Sequence, residues 1–343
     1  MLEIYVKTIL AIAVLLAFIV PGFILRKLKV IEKNGKRTLS SILLYVCQPA
    51  LMISSFCVFS EEDFAEIKSI GYLPILKNFF IAAVLSLAAM LLVFVLARLL
   101  FLKYPDKGRA DIYAYASIFS NCGFLGVPFI EILTDGSVLA VMYLMIFNVV
   151  FNILVWTLGV WLITGNRSDI SIKKILINPL IISTLFALLL FFVPQINFFM
   201  FEPLKDLQLF PSYLSTMTAP LSMIIVGISM ADIPFKTLFD DIGIYATGLL
   251  RLVIAPIATL GLAIALQFIT ANFLTPTPQS DYIFLAPVIA MAMSPAATIV
   301  AMSEQYGKDT SRATATFVTN TLLSVITLPL VMSLALLVWE AIF

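Results

Sequence analysis

Two stretches of this chain hold residues that an uninterrupted apolar helix would not. One reads Ser120-Asn121-Cys122-Gly123-Phe124-Leu125-Gly126-Val127-Pro128, the other Ala292-Met293-Ser294-Pro295-Ala296-Ala297-Thr298. Each joins helix-breaking Gly or Pro to side chains that hydrogen-bond, Asn121 in the first and Ser294 and Thr298 in the second. A break at membrane depth frees backbone N–H and C=O groups that hydrocarbon cannot satisfy, so it persists only inside protein or beside a wet cavity. Pro128 and Pro295 suit the first turn of a new half-helix, where their missing N–H is not needed. Such half-helices would turn free N–H groups and positive dipole ends toward a bound anion. Either break alone also reads as a packing kink, because Gly and Pro are common in membrane helices. Two breaks at matching places favour a site.

The elements that carry these stretches follow from composition. The chain has 343 residues, 62% of them hydrophobic and 12% charged, far from the balance of a soluble domain. At about 20 apolar residues per span and roughly ten per connection, the length allows ten or eleven transmembrane helices and no soluble domain. Apolar runs place α1 near 6–26, α2 near 38–59, α3 near 72–102, α4 near 111–134 and α5 near 138–164. The second half gives α6 near 172–194, α7 near 211–231, α8 near 242–269, α9 near 282–304 and α10 near 311–341. The two breaks lie in α4 and α9. Glu3 and Lys7 make a weak basic region and Pro21-Gly22 leads into Phe23, so α1 reads as a retained helix and not a cleaved signal.

Lys and Arg set the orientation. Arg26, Lys27, Lys29, Lys33, Lys36 and Arg37 follow α1, whereas Glu61, Glu62, Asp63 and Glu66 follow α2 with only Lys68. The first loop is therefore expected in the cytoplasm and both termini outside. The later cytoplasmic loops would hold Lys103, Lys107 and Arg109, then Arg167, Lys173 and Lys174, then Lys236, then Lys308 and Arg312; Lys7, Lys77 and Lys205 fall outside. An eleventh span would spoil this pattern. Ten is twice five, and an odd repeat inserts its second copy upside down, giving repeats over 1–164 and 172–343. Gln48-Pro49-Ala50-Leu51-Met52 in α2 and Ala219-Pro220-Leu221-Ser222-Met223 in α7 agree with that plan, although the residues alone leave the repeat open.

Other polar residues are ambiguous. Arg251 lies about ten residues into α8, roughly 15 Å from the cytoplasmic edge. It reads as an anion partner, as a clamp to an acid, or as a sign that α8 starts later. Arg98, closer to a helix end, can snorkel. Gln48, Asn148, Asn152 and Asn320 either reach a ligand or hydrogen-bond between helices. Glu131, Asp232 and Glu304 sit near helix ends, so none is an obvious midmembrane proton carrier. Cys47, Cys57 and Cys122 read as small packing residues. A net charge of +1 from 21 basic and 20 acidic residues gives no field for nucleic acid, and the absence of histidine removes His-based catalysis and zinc sites. No HExxH, GxSxG or facing pair of aspartates marks an intramembrane enzyme.

The sequence NCGFLGVP in α4, MSPAATIVAMSEQYGKD from α9 onward and PLSMIIVGISMAD in α7 resemble the auxin efflux carrier family of bacteria and plants. The resemblance covers the whole chain. It implies an all-α membrane protein of ten helices in two inverted repeats, with α4 and α9 broken and crossing near the membrane centre. It further implies a transport domain of α3–α5 and α8–α10 moving elevator-fashion against a scaffold of α1, α2, α6 and α7, through which members form homodimers. The family's crossover positions fall on Asn121, Gly123, Gly126 and Pro128 and on Pro295, Ala296 and Thr298. The short link around 165–171 is similar to the bacterial members, assigned to carboxylates such as malate, malonate or lactate, and unlike the long loop of plant auxin exporters.

The expected function is thus a secondary transporter of a small organic anion in the cell membrane, with no cofactor or metal and no enzyme activity. An auxin-like acid is a further candidate that the resemblance implies, although the short link argues against export of the plant type. Asn121 with Ser294 or Thr298 would be the side-chain partners, and sodium or protons are the candidate coupling ions. A ligand-gated sensor or channel on the same scaffold is the alternative.

Overall fold

The computed structural model describes residue 10 and residues 13–32, 35–170, 173, 177–271 and 279–343. Within them the regular structure is helical, apart from an isolated antiparallel bridge between Ser120 and Pro295. Among the described residues six helices are long and apolar enough to cross a membrane: Gly35–Cys57 (α2), Tyr72–Leu100 (α3), Val138–Thr164 (α5), Lys205–Asp232 (α7), Ile242–Thr270 (α8) and Thr310–Ile342 (α10). Pro179–Phe192 (α6) is apolar but shorter, and α1 is described over Ile19–Lys27 with helical residues just before it. The start of α1 with Glu3 and Lys7, together with Lys33, Ser171 and Lys174, lies outside the described residues.

Most differences from the expected boundaries have a local cause. Helix α6 begins at Pro179 because the Asn178 side chain accepts the Leu180 N–H at 2.9 Å and proline occupies the first turn. The acidic stretch after α2, expected as a loop, forms a further helix, Glu61–Ile70. There Ser60 and Asp63 bond each other's backbone N–H reciprocally, and three acids occupy the positive first turn. Helix α2 widens to i→i+5 bonding over Leu43–Cys47, the second half of α4 over Cys122–Gly126, and α8 over Leu250–Ile254. These three wide turns each end two residues before a proline, Pro49, Pro128 or Pro256, whereas a fourth, Val155–Gly159 in α5, has none. Proline cannot donate to the preceding turn and its ring crowds the carbonyl four residues back, so the turn opens.

Helix α1 packs on α7, and α2 on α6. The first of these contacts depends on two glycines, since a Cβ on Gly22 would lie 2.1 Å from the Ile224 oxygen and one on Gly227 2.0 Å from the Ile19 oxygen. The close backbone approach supplies dispersion contact where lipid offers no hydrophobic drive between helices. The first half of α9 packs against α3 and α5, and the first half of α4 against α8 and α10. If α6–α10 repeat α1–α5, each of these contacts recurs with its copies exchanged.

At the end of the bundle holding the α3–α4 and α7–α8 connections, Asp241 gathers charge. Its carboxylate accepts from the Tyr104 hydroxyl, from Arg109 at 3.0 Å and from the Gly243 N–H at 2.8 Å. Arg312 lies 3.7 Å away and pairs with Asp240 at 2.6 Å. Burial pushes the Asp241 carboxyl up, but the Tyr104 and Gly243 donors and the Arg312 charge outweigh it and hold the carboxyl below its ordinary value.

Candidate functional site

Helix α4 runs as Lys107–Ile118, stops, and resumes as Cys122–Leu133; α9 runs as Tyr282–Ala292 and resumes as Thr298–Gln305. The two interruptions meet. The Asn121 N–H donates to the Ser294 oxygen at 2.8 Å, and the Ala296 N–H donates to the Phe119 oxygen at 2.8 Å. Each break thus supplies the backbone partner that the other would lack in lipid. Pro295 lies in this extended crossing and not in the first turn expected for it; it can occupy the bridge because the bonds run through its neighbours. Pro128 lies within the resumed helix, after the wide turn.

Four half-helix ends converge here, two C-termini with orphan carbonyls and two N-termini with orphan N–H groups. Arg251 takes the carbonyls. It is 0% exposed, and its Nε donates to Met293 O at 3.0 Å, Nη1 to Ser117 O and Ile118 O at 3.1 Å each, and Nη2 to Ala290 O at 3.1 Å. Neither an acid nor a late helix start accounts for it. Helix α8 begins at Ile242, so the charge is deep, and its partners are backbone oxygens of both broken helices. Its donors therefore point into the crossover framework.

The N-terminal ends carry the unpaired groups. Asn121 is 3% and Ser294 0% exposed, and among the described residues neither the Asn121 Nδ2 nor the Ser294 hydroxyl has a hydrogen-bond partner. A buried polar group without a partner costs about 1–3 kcal/mol, which a ligand can relieve. Gly123 leaves room beside them. A Cβ there would stand 2.6 Å from the Asn148 Nδ2 and 3.7 Å from the Gln48 Nε2, so α2 and α5 bring both amides to the break. Asn152 donates to the Asn148 Oδ1 at 2.6 Å and fixes that amide. Gly126 is packed close, 3.2 Å from Leu144 Cδ2 to a built Cβ, and Ala296 is buried in the crossing strand. Pro128 and Thr298 are partly exposed.

Asn320 takes the bond between helices, one of its two alternatives, and Tyr115 joins the site without a signal in the sequence. Asn320 donates to Ile244 O at 3.2 Å and Thr316 O at 2.8 Å, joining α10 to α8 instead of turning to the crossover. Tyr115, which no pattern marked, shares a hydrogen bond with the Thr298 hydroxyl at 3.0 Å. Among the acids near helix ends, Asp232 pairs with Arg26 at 2.6 Å, and Arg98 reaches Asp111 at 3.2 Å. The three cysteines are free and buried. Among the described residues no cluster of three or more His, Cys, Asp or Glu side chains could hold a metal ion.

A family model described as "Membrane transport protein" matches residues 7–175 and again 166–332. A protein of Rhizobium meliloti (strain 1021) named "Putative malonate transporter" is 27% identical over 238 residues, which is 66% of this chain and 68% of that protein.

Proposed function

The chain belongs to the membrane transport protein family, the auxin efflux carrier family of the sequence reading, and from that premise we propose that it is a secondary carrier for a small carboxylate bound at the α4–α9 crossover. It is a transporter and a multi-pass protein of the cell membrane; the family's description names transport, not catalysis. The observation that carries the reading is the crossing itself. Two half-helix N-termini meet beside the unpartnered Asn121 amide and Ser294 hydroxyl, while a guanidinium neutralises the opposing C-termini. Positive backbone ends and neutral donors, with no carboxylate among them, select an anion.

In this reading the chain crosses the membrane ten times with both termini outside. Asn121 and Ser294 or Thr298 bond the carboxylate, the backbone at Gly123 and Gly126 lets it approach, and Pro128, Pro295 and Ala296 shape the crossing. Gln48 and Asn148 supply amides from the flank. Helices α1, α2, α6 and α7 form the scaffold and the homodimer contact; α3–α5 and α8–α10 carry the substrate between the two membrane faces. The malonate named for the Rhizobium relative makes short dicarboxylates the first candidates, with lactate as the monocarboxylate comparison.

The test is a thermal-shift screen of the purified protein against malonate, malate, lactate, indole-3-acetate and neutral analogues. A ligand at 100-fold its Kd stabilises the folded state by about 2.7 kcal/mol. A shift confined to carboxylates supports the reading; a shift with neutral compounds alone contradicts it.

A further inference from the structure

Carriers built on broken helices hold coupling sodium ions on the carbonyls of unwound backbone and half-helix C-termini. In this chain those carbonyls already have a cation. The oxygens of Ser117 and Ile118 from α4 and of Ala290 and Met293 from α9 all accept from one guanidinium. Arg251 is fully buried, and among the described residues no carboxylate pairs with it. Among the described residues the other two buried charged side chains, Asp241 and Arg312, each lie beside opposite charges. Arg251 therefore brings an uncompensated positive charge to the place where the helices break. Its planar fork also serves two separate chain ends, a geometry that suits guanidinium better than an ammonium.

Resting on the carrier reading, we propose that Arg251 is a tethered cation in the place of a coupling sodium ion: it neutralises the two C-terminal ends, leaves the two N-terminal ends free for the anion, and makes anion binding independent of sodium. Arg251 is a positioning residue, since it bonds the backbone that shapes the site and not the anion. With the charge built in, a monocarboxylate is matched one for one without any ion from solution. A dicarboxylate has one negative charge left over.

Titrating malonate and lactate into the purified full-length protein in sodium chloride and in choline chloride, with thermal stability as readout, tests this. Wild type is expected to show the same apparent affinity in both salts. Arg251→Ala removes a unit charge; at a separation of roughly 10 Å and an effective dielectric of ~20, affinity in choline should fall on the order of tenfold. Sodium or millimolar guanidinium, offered to the freed carbonyls, should recover part of that loss. Arg251→Lys keeps the charge and should remain sodium-independent, which decides the matter if the alanine protein does not fold. A wild-type or lysine response that requires sodium overturns the proposal and leaves the anion site standing. So does an alanine variant that binds as tightly as wild type in choline. Silence of both acids in both salts overturns the carrier reading and this proposal with it.

Discussion

Replacing Asp241 by Asn removes one charge and little else. The amide keeps an acceptor for the Gly243 N–H, so the cap on α8 survives, and volume is unchanged. What is lost is the anion facing Tyr104, Arg109 and Arg312. Removing one partner of a fully buried pair costs about 3–5 kcal/mol. Here Arg109 is 36% exposed and Arg312 retains Asp240 at 2.6 Å, which brings the expected loss to about 2 kcal/mol. For a chain of 343 residues that corresponds to a fall in Tm of about 3 °C. The pH dependence has a definite sign. Because the folded carboxyl titrates below its ordinary value, its contribution is present above the unfolded pKa of about 3.9 and is lost as pH falls through the lower, folded pKa. Thermal unfolding of wild type and Asp241→Asn in detergent should therefore show a gap that is constant from about pH 5 to 8 and closes only below about pH 4. Asp240→Asn, which leaves Arg312 beside Asp241, should lose less. Equal loss from the two variants, or a gap that closes near neutrality, would refute the reasoning.

Gly227→Ala places a methyl 2.0 Å from the Ile19 oxygen, so α1 and α7 must part; a loss of about 1–3 kcal/mol is expected in a stability assay. Gly123→Ala pushes the Asn148 amide aside from 2.6 Å and should weaken carboxylate affinity several-fold with a stability change near 1 kcal/mol or less, read by isothermal titration with malonate. Tyr115→Phe deletes the bond to Thr298 and should cost about 1 kcal/mol of stability; no change in Tm would mean that the hydroxyl pair contributes nothing.

The breaks in α4 and α9 were legible because Gly, Pro and Asn carry their backbone consequences in their identity. That the two breaks pair through Asn121, Ser294, Phe119 and Ala296 was not, because main-chain bonds leave no residue-type signature. Arg251 shows the same limit. Its depth could be read by counting from the start of α8, but four carbonyl partners on two other helices could not, and the sequence left an anion, an acid and a later helix start open. Asn148 and Asn320 look alike in sequence, each an amide in an otherwise apolar helix. Their roles part through tertiary neighbours, Gly123 and Gln48 for one and Ile244 and Gly248 for the other. Conversely, the helix Glu61–Ile70 had its signature in Ser60 and Asp63, and the acidity of the segment hid it.

The central claim is that a carboxylate is held at the crossover and carried across. Counterflow of labelled malonate into proteoliposomes measures it most directly, comparing wild type with Asn121→Ala. The account predicts saturable uptake accelerated by malonate inside. Loss of one hydrogen bond, worth about 1 kcal/mol, should raise the half-saturating concentration of the folded variant about fivefold. Uptake that rises linearly with concentration, ignores internal malonate, or is unchanged by the Asn121 substitution would contradict it.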